Sequence, residues 1–132
     1  MAVIPDQYLD LLGSKKKAFA SIATVQPDGS PQVTPVWFDY VNGRVRVNTA
    51  KGRVKARNMQ EGARVALSIM DPDNAYRYVQ VRGKVARMTD EGARAHIDTL
   101  SRKYIGKDYP WSRPGEVRVM YEIEPTAAQG MG

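Results

Sequence analysis

Residues 32–49, QVTPVWFDYVNGRVRVNT, carry the pattern that decides the fold. Asn42-Gly43 is the strongest short hairpin signal in the chain, because this dipeptide suits the tight turns that join antiparallel strands. The residues on either side, Gln32–Asp39 and Arg44–Thr49, are therefore predicted to form two paired strands. In the second of these, Val45 and Val47 face one way while the polar residues between them face the other.

Further strands are predicted on both sides of this hairpin. Ala18–Val25 runs into the turn Pro27-Asp28-Gly29 and adds a strand, so that three strands form an antiparallel meander. Alternating or apolar runs predict three more strands, at Val65–Met70, Tyr76–Val85 and Glu116–Glu124. Helices are expected at Pro5–Leu12, in the basic segment after Thr49, and at Thr89–Tyr104.

The order of these elements indicates a mainly β protein. Six strands joined by short turns, without a strand–helix–strand rhythm, favour a closed or nearly closed antiparallel barrel. With 132 residues the chain is expected to form a single domain over residues 1–132, and its small-residue tail at 127–132 is expected to fray.

Composition excludes several classes of protein and site. No apolar run approaches the ~20 residues that span a bilayer, and Met1–Asp6 lacks the layout of a signal peptide, so a cytoplasmic protein without membrane contact is expected. The chain has no cysteine and one histidine, which excludes disulfides, thiolate nucleophiles, cysteine-bound zinc and histidine metal clusters. No metal site is predicted.

The charge balance favours an anionic partner. The formal net charge is +6, and four cations occur at alternate positions directly after the third strand: Lys51, Arg53, Lys55 and Arg57. The segment has the composition of a helix start with Thr49 as its cap, and helix starts bind phosphate through unpaired amides. A solvated basic face that binds nothing is an equally strong interpretation.

No set of catalytic side chains can be assembled from the sequence. His96 lies in the last helix pattern, where a partly exposed position is expected, and Asp71 and Asp73 lie in a proline-containing turn that they are expected to shape. The catalytic residues are therefore unknown. An enzyme built from this chain would need an external redox cofactor to supply its chemistry.

Several segments in order resemble a known family. They are SIAT at 21–24, PQVTPVWF at 31–38, NTAKGRVKARNM at 48–59, VQVRGKV at 79–85, KYIG at 103–106, and the closing strand with Arg118, Tyr121 and Pro125. Together they resemble the pyridoxamine 5′-phosphate oxidase-like split β-barrel superfamily, of the FMN-binding split-barrel type. Within it, the likeness is to the actinobacterial branch that uses the deazaflavin coenzyme F420, and it covers nearly the whole chain.

The resemblance implies a homodimer whose cofactor lies in a groove between two barrels. By position, Arg53 and Lys55 would bind the phosphate, with Asn48, Thr49 and Ala50 lining the same pocket. Lys51 would reach the oligoglutamate tail, whereas Arg57 would either join the site or pair with Glu61. The second strand would pass the deazaflavin ring with Gln32, Thr34, Pro35, Val36 and Trp37.

Aromatic residues in these positions have a second interpretation. Tyr76 and Tyr78 match positions that contact the cofactor from the other subunit in relatives, but packing explains them equally well. The same holds for Trp37, which fits a core or dimer-interface position.

The implied activity is hydride transfer from reduced F420 to an electron-poor enone, quinone or tetrapyrrole. A protein acid is optional, and Tyr104 and Tyr109 are the candidates for one. Three alternatives stay open: an FMN-dependent enzyme on the same fold, a non-catalytic cofactor or haem carrier, and a single-stranded nucleic-acid binder. The last is less favoured and would use Tyr76, Arg77, Tyr78, Arg82 and Lys84.

Overall fold

The computed structural model describes residues 3–132; Met1 and Ala2, the first residues of the expected single domain, lie outside the described part. The strands are β1 Ala20–Val25, β2 Pro31–Val36, β3 Phe38–Val41, β4 Arg44–Ala50, β5 Arg64–Asp71, β6 Asn74–Thr89 and β7 Arg118–Met131. A 3₁₀ turn at Asp6–Tyr8 precedes three helices, α1 Leu9–Leu12, α2 Val54–Asn58 and α3 Ala93–Ile105.

All seven strands form one antiparallel sheet in the order β2-β1-β5-β6-β7-β4-β3. The two edge strands, β2 and β3, are consecutive in the chain and separated only by Trp37. Because one residue spans only ~3.5 Å, the two edges must meet at this point, and the sheet curls into a split barrel. The mainly β split barrel is thus confirmed. The predicted strand 32–39 is two strands, which raises the count from six to seven.

Alternate residues of β1, β4, β5 and β6 fill the barrel, together with buried residues of the other strands. Phe38, Val47, Leu67 and Ile123 point inward and are essentially fully buried. Full burial of one such side chain contributes roughly 1.5–3 kcal/mol, so the alternation that predicted the strands also supplies most of the core. Leu11 and the residues near it cover one end of the barrel.

Three local predictions are wrong. Thr49 does not cap a helix: it lies inside β4 opposite Val119, and the five-residue helix α2 begins at Val54 after Arg53. The tail does not fray, because β7 continues to Met131 and pairs with β6 as far as Tyr78. Helix α3 starts at Ala93 rather than at Thr89.

Helix α3 packs on the face of β4 and β7 that points away from the barrel interior. Its buried residues, Ala93, His96, Ile97, Leu100, Ser101 and Tyr104, repeat at helical spacing. His96 is therefore buried, with only 4% of its surface exposed, and not partly exposed as predicted. Within residues 3–132, the helices are all too short and polar to cross a bilayer.

Candidate functional site

A cavity of about 230 Å³ opens where β2, β4, α2 and α3 meet. We call it the corner cavity, and its lining residues are Pro35, Val36, Trp37, Asn48, Arg53, Lys55, Ile97, Tyr109 and Trp111. Trp37 reaches it because the chain must turn outward there to pass from one edge of the sheet to the other. Six of these residues were predicted from the sequence, and the structure brings them together.

The cations of the corner cavity lack carboxylate partners. Lys55 is half-buried and its Nζ donates to Thr34 Oγ1 at 3.2 Å. Burial, together with the nearby charges of Arg53 and Arg118, lowers the pKa of Lys55 below its usual value. In the part of the chain that the structure describes, neither Lys55 nor Arg53 has a carboxylate within ion-pair distance. An anionic ligand would relieve this repulsion.

Aromatic residues form the opposite wall. Trp37 stacks on Tyr104 with ring centroids 5.4 Å apart, and Tyr109 meets Trp37 and Trp111 edge-on at 6.2 and 5.6 Å. The loop that carries Tyr109 and Trp111 is fastened to α3 by three hydrogen bonds: Asp98 to the Tyr109 amide, Arg102 to Asp108, and Arg94 to Ser112. The wall is therefore preorganised by the protein.

A polar network fixes Asn48 at the back of the cavity. Its Nδ2 donates to the Ala93 carbonyl at 2.8 Å and lies 3.1 Å from His96 Nδ1. Because Nδ2 can only donate, Nδ1 accepts, so His96 carries its proton on Nε2 and donates to Asp39 Oδ1 at 3.1 Å. Arg118 donates from Nη1 to Asn48 Oδ1 at 3.4 Å. The contacts with Ala93, His96 and Arg118 thus fix the orientation of the Asn48 amide.

Asp39 anchors the far end of this network. Burial alone would raise its pKa, but hydrogen bonds from His96 and from Arg46, which binds it through two nitrogens, lower the pKa to about 2. Asp39 is therefore ionised at neutral pH and holds the His96 ring in place.

Comparison with known proteins identifies the fold family. The family model described as pyridoxamine 5′-phosphate oxidase matches residues 4–132. The chain belongs to this family. The comparison with curated protein sequences gives no match.

Among solved structures of this fold, one described as an F420 reductase is 34% identical, with a TM-score of 0.80, over 96% of this chain and 98% of that chain. A conserved hypothetical protein of Mycobacterium tuberculosis is 20% identical, with a TM-score of 0.72, over 98% and 86% of the two chains. An FAD- and haem-binding protein of Mycobacterium smegmatis is 19% identical, with a TM-score of 0.69, over 96% and 70%. The last two likenesses show the fold alone.

Other predicted residues of this oxidase-family chain lie outside the corner cavity. Thr49 points into the barrel, and its buried Oγ1 has no hydrogen-bond partner in the described part of the chain. Gln32 accepts a hydrogen bond from Thr24 instead of lining the cavity. Ala50 and Lys51 line a neighbouring cavity, described below. Arg57 is exposed and is not paired with Glu61, which accepts a hydrogen bond from the Met88 amide.

The tyrosines named from the sequence separate into different roles. Tyr104 donates from its buried hydroxyl to the Ala18 carbonyl at 2.7 Å, and burial raises its pKa well above the usual value. It therefore joins α3 to the barrel and is a poor proton donor. Tyr76 and Tyr78 lie on β6, outside the corner cavity of their own chain, and Tyr76 is 83% exposed.

Sequence reasoning missed three residues around the cavity. Trp111 and Ile97 line it, and Arg118 supports Asn48 from behind. Ile97 follows from the apolar stripe of α3. Trp111 lies in a loop, and Arg118 begins a strand whose pattern indicates only alternation, so neither carries a local signal of its position.

Proposed function

We propose that this protein binds coenzyme F420 and transfers a hydride from its reduced form to an electron-poor small molecule. The proposal depends on Arg53 and Lys55, two cations that line an aromatic-walled cavity. Among residues 3–132, neither has a carboxylate within ion-pair distance. The likeness to an F420 reductase at 34% identity supports the choice of cofactor.

The residues present fit such a cofactor. Arg53, which is exposed, and Lys55, which is half-buried, would hold its phosphate, because charge-assisted hydrogen bonds are the strong ones. Trp37, with Pro35 and Val36, would lie along the ring, and the fixed amide of Asn48 would orient it. When bound, reduced F420 supplies a hydride, and with it two electrons, to an enone, quinone or tetrapyrrole, while a proton comes from water.

A homodimer is part of this proposal. The corner cavity, at about 230 Å³, is smaller than the ~300–1,000 Å³ of usual ligand pockets, so a second wall is needed. Tyr76 and Tyr78 of the partner subunit would supply it, which explains why Tyr76 is exposed in its own chain.

Two alternatives are weakened by contacts in the structure. A haem carrier would need a ligand for iron, but both ring nitrogens of His96 are engaged, with Asn48 and Asp39. A nucleic-acid binder would use Arg77, whose guanidinium is held by Asp10 and Asp71. FMN carries one phosphate and could use the same cations, so the experiment must compare the two cofactors directly.

The test is a paired fluorescence titration with F420 and FMN at low salt. We expect F420 to bind at least tenfold more tightly than FMN, and Lys55→Gln to weaken F420 binding roughly tenfold or more because a charge-assisted bond is lost. Arg82→Gln, which removes an exposed cation on β6 that lines neither this cavity nor the one beside it, should leave binding unchanged.

Tighter binding of FMN than of F420 would show that the cofactor is a flavin and not a deazaflavin. An unchanged F420 affinity in Lys55→Gln would reject the proposed phosphate site. F420 binding without reduction of any enone, quinone or tetrapyrrole would favour a carrier.

A further inference from the structure

A second and larger cavity of about 580 Å³ adjoins the corner cavity. We call it the loop cavity; its lining residues are Ala50, Lys51, Arg53, Tyr109, Trp111, Arg113, Pro114, Gly115 and Glu116. Arg53, Tyr109 and Trp111 line both cavities, so the two share a wall. A ligand in the loop cavity would lie directly beside a cofactor in the corner cavity.

The loop cavity carries surplus positive charge. Lys51, Arg53 and Arg113 line it, and within residues 3–132 none of the three forms an ion pair. Its one lining carboxylate, Glu116, accepts a hydrogen bond from Arg118 Nε at 2.7 Å. The side chain of Arg118 is only 5% exposed, so it neutralises that carboxylate from behind.

An unused buried donor lies behind the wall that the two cavities share. Arg118 Nη2 is buried and, among residues 3–132, has no hydrogen-bond partner. The guanidinium lies 4.7 Å beneath the Tyr109 ring, between Asn48 of the corner cavity and Glu116 of the loop cavity. A buried cationic donor without a partner is costly, and such groups commonly mark a place where a ligand or water completes the set.

Aromatic surface is present on the same wall. Tyr109 and Trp111 meet edge-on, and Trp111 is 59% exposed, which leaves a ring face free. Exposed indole faces favour planar, unsaturated ligands, while cations around them favour a negative charge on the same ligand.

From these contacts we infer that the loop cavity binds the hydride acceptor, and that this acceptor is a planar ring compound with a carboxylate or similar anionic group. The inference rests on the proposed function and narrows its substrate class. The ring would stack on Trp111, and the anionic group would meet Lys51 and Arg113. A flexible carboxylate chain, such as the glutamate tail of F420, would match the cations but would make no use of the ring faces.

The experiment measures binding and needs no turnover. Two probes share one ring system and differ in charge: 2-naphthoate and 2-naphthalenemethanol. Their binding is followed by quenching of tryptophan fluorescence, with Trp111→Phe used to assign the signal. We expect the wild type to bind 2-naphthoate roughly three- to tenfold more tightly than the alcohol, as for ligands that meet partly exposed cations.

Charge-removing variants locate the contact. Lys51→Gln and Arg113→Gln are on exposed loop positions where folding is not at risk, and each should weaken 2-naphthoate binding while leaving the alcohol unaffected. Arg82→Gln removes the same charge from an exposed position on β6 that does not line the loop cavity, and it should change the binding of neither probe. Equal affinity for the two probes, or an equal effect of Arg82→Gln, would overturn the inference.

A second arm separates the acceptor from the cofactor's own carboxylates. Protein saturated with F420 should still bind 2-naphthoate, as should protein saturated with the riboside chromophore that lacks the phosphate and tail. Exclusion of 2-naphthoate by F420 but not by the riboside would assign the loop cavity to the tail and overturn the inference. Failure of F420 to bind at all would reject the proposed function, while the probe titration would still report on the loop cavity.

Discussion

At the scale of single residues, the surroundings of the Asp39 carboxylate in the folded protein predict that stability depends on pH. Its pKa is about 2 in the folded protein and near 3.8 when unfolded, so the unfolded chain takes up the proton first as the pH falls. The carboxylate thus stabilises the fold above pH 4, and this contribution is lost between about pH 4 and 2. Asp39→Asn should reduce the free energy of unfolding at pH 7 by about 2 kcal/mol.

Urea unfolding at pH 7, 4 and 2.5 checks this expectation, since the gap between wild type and Asp39→Asn should narrow as the pH falls. Asp90→Asn, an exposed carboxylate, is the matched control and should change stability by less than about 0.5 kcal/mol. A constant gap across the acid range would show that the His96 and Arg46 contacts do not lower the pKa of Asp39.

The same residues show what a sequence can and cannot predict. The alternation at residues 44–49 correctly placed Asn48 on the face opposite the core valines. It could not place His96 against it, because that contact depends on how α3 crosses β4, some 48 positions further along the chain. A histidine beside Ile97 on a helix has the same local pattern whether it faces water or a buried amide.

At the scale of elements, the pairing of β6 with β7 depends on Gly83. An added Cβ there would lie 2.3 Å from the Glu124 carbonyl oxygen, at a register shift between Arg82 and Gly83. Because this neighbour is a backbone atom, it cannot move aside as the end of a flexible side chain can. Gly83→Ala should therefore lower the free energy of unfolding by about 3 kcal/mol. Gly13→Ala is the control, since its nearest neighbour would be 3.6 Å away, an ordinary contact.

Thermal unfolding of the two variants measures the difference directly. Equal melting temperatures would mean that the sheet accommodates a methyl group at this register shift.

The extent of this strand pair also marks a limit of pattern analysis. Strands at 76–85 and 116–124 followed from alternating apolar residues, and the structure confirms both. Their extensions do not alternate: Ala127, Ala128 and Gly130 have low strand propensity and were expected to fray. They are ordered because β6 offers a partner across the barrel, and Gly130 leaves room for the Tyr8 ring, which an added Cβ would approach to 2.4 Å.

At the scale of the whole molecule, we expect a second copy to bind the outer face of β2, β1 and β5. Val33 is 67% exposed there, with Val25 and Met70 also about half exposed, and Ala23 and Ala66 make the middle of the face smooth. Exposed apolar side chains on neighbouring strands are costly in water and are typical of protein interfaces.

We therefore expect the protein to sediment as a dimer and Val33→Asp to sediment as a folded monomer. In a two-fold interface one substitution buries a charge in each of the two subunits, so its destabilising effect on the dimer is doubled. The variant should also bind F420 at least tenfold more weakly, because the corner cavity would lose the wall that Tyr76 and Tyr78 of the partner subunit are proposed to supply.

Val41→Lys, at an exposed position on the other edge of the sheet, should change neither property. Sedimentation velocity and the F420 titration, run on the same samples, link the two effects. If Val33→Asp is a monomer that binds F420 as tightly as the wild type, cofactor binding does not depend on dimerisation and the site lies within one chain. If Val33→Asp remains a dimer, the interface lies on another face.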